Sequence, residues 1–252
     1  MRKWLAHEPA FFYNMKEIRT SETARLILSL LVILLLSAAA ILSLVRRTER
    51  FAVSAPTEPP TLVIDPGHGG IDGGAISADG TRESDINLAV ALRLQSIVRF
   101  LGQKTVMTRC DDSKKTDILA YSEHEDLKAR AALANGTDNA VLISIHQNYY
   151  PTAQPRGAQV LYSSFGDSDR LGKRMQELLV GKLDPENRRL ATPAPKELYL
   201  TANARCPAVL VECGFMSNNF EVLKLKESGY QNALALVIAA AYLEYISGET
   251  PV

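Results

Sequence analysis

Val141-Leu142-Ile143-Ser144-Ile145-His146-Gln147-Asn148 is an apolar run that delivers a histidine at its end. Its length and β-branched content read as a strand buried on both sides, the kind found in the parallel sheets of α/β proteins. Two other stretches repeat the plan. Leu62-Val63-Ile64-Asp65 runs into Pro66-Gly67-His68-Gly69-Gly70, and Ala208-Val209-Leu210-Val211 runs into Glu212-Cys213-Gly214-Phe215. Three parallel strands would bring two histidines and a glutamate to one sheet edge.

Working outward, strand-like and helix-like patterns alternate. Asp85 to Leu101 carries Ile86, Val90, Leu94, Ile97 and Leu101 on one helical face, and Lys104 to Thr108 reads as a strand. Asp126 to Asn135 reads as a helix stopped by Asn135-Gly136, and Ala140 to Ile145 is the strand quoted first. Gly157 to Tyr162 continues the sheet, Asp167 to Leu183 is helical, and Pro185, Pro193 and Pro195 mark a loop. The strand Ala208 to Val211 and an apolar helix from Tyr230 to Tyr245 close the chain. The expectation is a single α/β domain over residues 61–252, with a mostly parallel or mixed central sheet flanked by helices on both faces.

The N-terminal quarter differs in composition. Residues 1–25 mix charges of both signs with Trp4, Phe11, Phe12 and Tyr13 and read as a cytoplasmic tail. Residues 26–45 hold no charge and are long enough for a helix to span hydrocarbon, so one N-terminal transmembrane anchor is expected. A cleavable signal peptide is the competing reading, since Ser37-Ala38-Ala39-Ala40 supplies small residues; the long leading tail favours an uncleaved anchor. Residues 46–60, with Pro56, Pro59 and Pro60, form a tether. Five basic residues before the span and three just after it favour an inside N-terminus, which puts the domain that follows on the extracytoplasmic side of the cytoplasmic membrane.

Composition excludes some classes. The 252 residues are 46% hydrophobic with a formal net charge of +0, so there is no basic footprint for nucleic acid. Cys110, Cys206 and Cys213 have no C-x-x-C spacing, which argues against a zinc ribbon or a disulfide framework.

The chemistry gathers in a few residues. Asp65-Pro66-Gly67-His68-Gly69-Gly70 turns sharply off a strand and lacks the lysine and Ser/Thr of a phosphate loop. Glu83 stands just before a helix, where a carboxylate is favoured by the dipole, yet a loop from His68 can fold so that both side chains meet one cation. His146 completes a set of two imidazoles and a carboxylate, which leaves a fourth position open on a catalytic zinc ion. Glu212 is then placed to take and return a proton during amide hydrolysis. The bland alternative for Glu212 is an ion pair with Arg130, Arg156 or Arg205. His7 and His124 carry no such pattern.

These motifs, together with Leu127-Lys128-Ala129-Arg130-Ala131-Ala132-Leu133-Ala134-Asn135 and Val211-Glu212-Cys213-Gly214-Phe215-Met216-Ser217-Asn218, resemble the zinc-dependent N-acetylmuramoyl-L-alanine amidases of bacterial cell walls. The resemblance covers the whole domain after the tether. It implies Zn2+ held at His68, Glu83 and His146, Glu212 as catalytic acid/base, and cleavage between the lactyl group of muramic acid and L-alanine in peptidoglycan. A membrane-anchored single catalytic domain is similar to the sporulation and germination amidases of muramic-δ-lactam formation in spore cortex. An activator protein is a candidate partner beside peptidoglycan and the membrane. Relatives often carry a small residue after the second histidine, where this chain has Gln147 and then Tyr149-Tyr150. Two rival readings are a zinc peptidase cutting within the stem peptide and a wall-binding or regulatory module without turnover.

Overall fold

The computed structural model describes residues 27–39, 58–112 and 121–248. Two compact units divide the chain at Thr57/Glu58. In the first, residues 27–39 form a helix, α1, whose large apolar side chains are exposed, Leu34 at 69% and Leu35 at 68%. The remainder of the expected span, the tail and most of the tether lie outside the described residues. Among the described residues no helix is long and apolar enough to cross a membrane.

The second unit is an α/β domain. Its strands are β1 (Thr61–Pro66), β2 (Thr105–Met107), β3 (Ala140–Asn148), β4 (Gln159–Tyr162), β5 (Thr192–Pro193) and β6 (Ala208–Phe215). Its helices are α2 (Glu83–Phe100), α3 (Glu123–Asn135), α4 (Ser168–Leu183), α5 (Tyr199–Asn203), α6 (Asn219–Lys226) and α7 (Ser228–Ser247). The sheet order is β2-β1-β3-β6-β4-β5. β2, β1, β3 and β6 run parallel, β4 pairs antiparallel with β6, and β5 runs parallel to β4, so the sheet is mixed.

The three apolar runs form the centre of the sheet, as their composition requires. Because side chains alternate along a strand, Leu62, Ile64, Val141, Ile143, Ile145, Val209 and Val211 pack on one face against α2, α4, α6 and α7. Val63, Ala140, Leu142 and Ala208 pack on the other against α3 and α5. That second face has the smaller cover.

Several boundaries differ from the sequence reading. α3 begins at Glu123 because Ser122 caps it, accepting from the Glu125 N–H at 3.4 Å. The helix thus starts three residues before the expected Asp126, and residues 113–120 ahead of it lie outside the described residues. β3 and β6 run past Ile145 and Val211, so His146 and Glu212 lie inside strands. β5, α5 and α6 were not expected. All three cysteines are free.

Candidate active site

The site grows out of the thinly covered face. Even-numbered residues of β3 and β6 point there, and after Leu142 and Ala208 the same alternation brings Ser144, His146, Leu210 and Glu212. His146 and Glu212 are register partners, as are Asp65 and Ser144. His68 and Glu83 reach them from outside the sheet, His68 from the turn after β1 and Glu83 from the first position of α2.

The Glu83 carboxylate is the hub. Oε1 lies 3.1 Å from His146 Nδ1 and 3.3 Å from His68 Nε2. It also accepts from the Gln147 N–H at 3.0 Å and from Asn87 Nδ2 at 3.2 Å, while Oε2 accepts from the Ala75 N–H at 2.9 Å. The helix-start position of Glu83 is real, yet its carboxylate serves the histidines. The two imidazoles meet edge to face, centroids 5.0 Å apart. Ligand atoms of His68, Glu83 and His146 all lie within 4.8 Å of one another, a group that could hold a metal ion.

Two glycines make this packing possible. A β-carbon on Gly67 would sit 2.2 Å from His146 Nε2, and one on Gly74 would sit 2.7 Å from both Glu83 Oε2 and the His68 ring. His68 is further oriented by Asp72, whose Oδ2 is 2.8 Å from Nδ1, so an N–H there leaves Nε2 as the free donor atom. An aspartate four residues after the histidine was the available signal for this contact.

Electrostatics separate the two glutamates. Burial alone would raise Glu83, but hydrogen bonds and charge from His146 and His68 outweigh it and hold the group ionised well below the usual carboxylate range. Burial would likewise lower His68, but Asp72 and Glu83 raise it to about 10 in the metal-free site. Glu212 goes the other way, pushed up to about 7 chiefly by burial, with only partial relief from His146. Its Oε2 is buried without a hydrogen-bond partner. The expected rival, an arginine pair, is not what Arg130 does: Arg130 Nη1 donates to Asp65 Oδ1 at 2.8 Å, and Arg156 pairs with Glu186.

A cleft of about 290 Å³ opens over these groups, lined in part by His68, Glu83, His146, Tyr149, Tyr199 and Glu212. Tyr149 is 56% exposed and belongs to the cleft wall. Gln147 is buried and its amide donates to Asn87 Oδ1 at 3.1 Å. His124 packs edge-on against Tyr199; His7 lies outside the described residues.

Residues 62–244 match the protein family described as N-acetylmuramoyl-L-alanine amidase. The chain belongs to that family. This amidase is 32% identical over 205 residues to the germination-specific N-acetylmuramoyl-L-alanine amidase of Bacillus subtilis, covering 79% of this chain and 85% of that protein. It is 31% identical over 194 residues to the amidase LytC of the same organism, covering 75% of this chain but 36% of LytC. Among solved structures, the CwlD amidase of Clostridioides difficile, in complex with the GerS lipoprotein, superposes with a TM-score of 0.70 at 33% identity, covering 75% of this chain and 100% of that one.

Proposed function

We propose that the protein hydrolyses the amide between the lactyl group of muramic acid and the first L-alanine of the peptidoglycan stem, with a zinc ion held by His68, Glu83 and His146 and with Glu212 as general acid/base. The observation that carries this reading is the juxtaposition of a three-donor group with a buried carboxylate oxygen that has no partner of its own. An unsatisfied buried oxygen is costly in a resting fold and suits a group whose partner arrives with substrate. Two imidazoles and a carboxylate fit zinc and leave its fourth position open. Bound there, the ion supplies a Lewis acid that eases deprotonation of water and polarises the amide carbonyl.

The chain's own residues do the rest. Glu212, from the strand beside His146, accepts the proton of the attacking water and later delivers it to the alanine nitrogen as the C–N bond breaks. The products are a lactyl carboxylate on the sugar and a free alanine amine. The carboxylate of Asp72 holds His68 in the tautomer that keeps Nε2 available. Walls formed by Tyr149 and Tyr199 give the cleft aromatic surface on which a sugar or peptide can rest.

A finer reading places this activity outside the cytoplasmic membrane, with residues 26–45 as a single-pass anchor, residues 46–60 as tether, and a role in spore cortex muramic-lactam formation. The uncharged run and the exposed apolar side chains of α1 support the anchor, and the similarity to a germination-specific amidase supports the cortex role. The lipoprotein complex of the C. difficile relative supports an activating protein partner. The mass of the mature N-terminus tests whether the anchor is retained.

The deciding experiment is mass spectrometry of peptidoglycan fragments incubated with the zinc-loaded protein and with a chelator-treated control. Zinc-dependent release of stems beginning with L-alanine, leaving peptide-free muramic acid, is expected. Shortened stems still attached to sugar would instead establish a peptidase.

A further inference from the structure

The turn that carries His68 is an unfavourable piece of backbone. His68, Gly69 and Gly70 follow one another at φ 61°, 125° and 59°. Glycine tolerates this region, whereas a residue with a β-carbon pays about 1–2 kcal/mol for it. Within the turn the main chain offers one bond in return, the Gly69 N–H to Asp72 O at 2.7 Å. Something else must hold the conformation.

Its carbonyl groups show what does. Arg109 Nε donates to Pro66 O at 2.9 Å, and its Nη2 donates to Gly67 O at 3.1 Å and to Ser84 O at 2.8 Å. Arg130 Nη1 donates to Pro66 O at 2.9 Å and Nη2 to His68 O at 2.8 Å. Asn87 Nδ2 adds a second donor to Gly67 O, and Arg82 donates to Gly70 O. The oxygens of Pro66 and Gly67 thus each receive two donors, the full capacity of a carbonyl.

Both guanidinium groups bridge different oxygens in a way that a planar fork allows and a single ammonium does not. Arg109 also joins the two segments that bear the candidate ligands, since Gly67 precedes His68 and Ser84 follows Glu83. It packs so close to the turn that a β-carbon on Gly69 would lie 2.7 Å from its Nε. Arg130 is buried and compensated by Asp65 at 2.8 Å and Asp126 at 2.9 Å.

We infer that Arg109 and Arg130 are positioning residues for the metal centre: they grip the main chain of Pro66–His68 from its carbonyl side, fixing His68 Nε2 against Glu83 and His146. The inference rests on the metal-hydrolase reading above. The test uses the full chain and Arg109→Lys, which keeps the positive charge beside the site while losing the fork. Zinc affinity is measured by competition with a chromogenic chelator, and coordination geometry by the visible spectrum of the Co(II)-loaded protein. Arg109→Lys is expected to weaken zinc binding about 10- to 100-fold, the range typical of outer-shell partners of a metal ligand. It is also expected to shift the Co(II) bands while the metal-free protein melts near the wild-type temperature. Arg130→Lys should act in the same direction, but its pairing with Asp65 also couples it to folding, so Arg109 decides the matter. Zinc affinity and Co(II) spectrum both unchanged in Arg109→Lys would overturn this inference alone. A wild-type protein that takes up neither metal would overturn the functional reading and this inference with it.

Discussion

On one face of the sheet Leu62, Ile64, Ile143 and Val211 meet the long helices α2, α4 and α7, whereas on the other Val63, Leu142 and Ala208 meet α3 and the five residues of α5. The strands are the same; the covering is not. The first face is filled mainly with aliphatic side chains, and its buried titratable groups, the Cys213 thiol and the Tyr242 phenol, are pushed up by burial and stay neutral. Beyond Leu142 the second keeps Leu210 but otherwise continues as Asp65, Ser144, His146 and Glu212, with Arg130 reaching in from α3. The two faces divide the labour. Apolar burial holds the sheet from one side, and a polar network holds the other side while leaving a cleft.

Glu212→Gln strikes the polar side at its reactive group. It should lower turnover about 10²- to 10⁴-fold, the range for loss of general acid–base catalysis, with zinc content unchanged. The same variant should melt no lower than wild type, because an amide tolerates the buried position of Oε2 better than an ionised carboxylate. Parallel assays of fragment release, bound zinc and melting temperature check all three; a preserved rate would remove Glu212 from the mechanism.

Next in size is Asp65→Asn, which takes from the buried Arg130 the buried one of its two carboxylate partners, leaving Asp126, and should cost about 3–5 kcal/mol at neutral pH. Burial raises Asp65, but Arg130 and the hydroxyls of Ser144 and Thr108 more than reverse that, so its folded-state pKa lies below the ordinary value. A depressed carboxylate contributes stability that is fully present above the unfolded pKa of about 3.9 and is lost as pH falls through the folded value. Denaturant titrations of the metal-free protein at pH 7 and pH 3 should therefore show the gap between wild type and variant narrowing in acid. A gap independent of pH would deny the ion pair its role.

On the aliphatic face Leu94→Ala should cost about 2–5 kcal/mol, since Leu94 is fully buried in the larger core. Here the cost should be the same at both pH values, and zinc affinity of the folded protein should not move. A loss of zinc affinity would show that the two faces are coupled more tightly than their packing suggests.

How much of this was legible beforehand follows the same division. The runs Leu62–Ile64, Val141–Ile145 and Ala208–Val211 could be read as strands because burial on both sides leaves Ser144 as their one polar residue. Their edge residues then nominated His68, His146 and Glu212, and the structure brings these together with Glu83. The reverse direction of β4 was not read, although the ten residues at 149–158 are too few for a parallel crossover, which needs a dozen or more. α5 is too short for any periodicity to show. It is tied instead by distant contacts, among them Asn135, which donates to Asn203 O and accepts from the Arg205 N–H. The start of α3 was in plain view as Ser122-Glu123-His124-Glu125, a capping box. The arginines beneath the His68 turn were beyond reach, because they bind carbonyls, and a carbonyl has the same letter whatever the residue.

The way the chain joins its domain carries a mechanical consequence. Asn139 holds the carbonyl of Glu58 and Tyr242 holds that of Pro60, and β1 begins one residue later. A pull arriving from upstream of Glu58 would load β1 along its own length, in shear against β2 and β3 on its two sides. Shear must break many ladder bonds at once, whereas peeling takes them singly. The turn that carries His68 sits about 20 Å further along that strand, on the far side of those bonds from the point of traction.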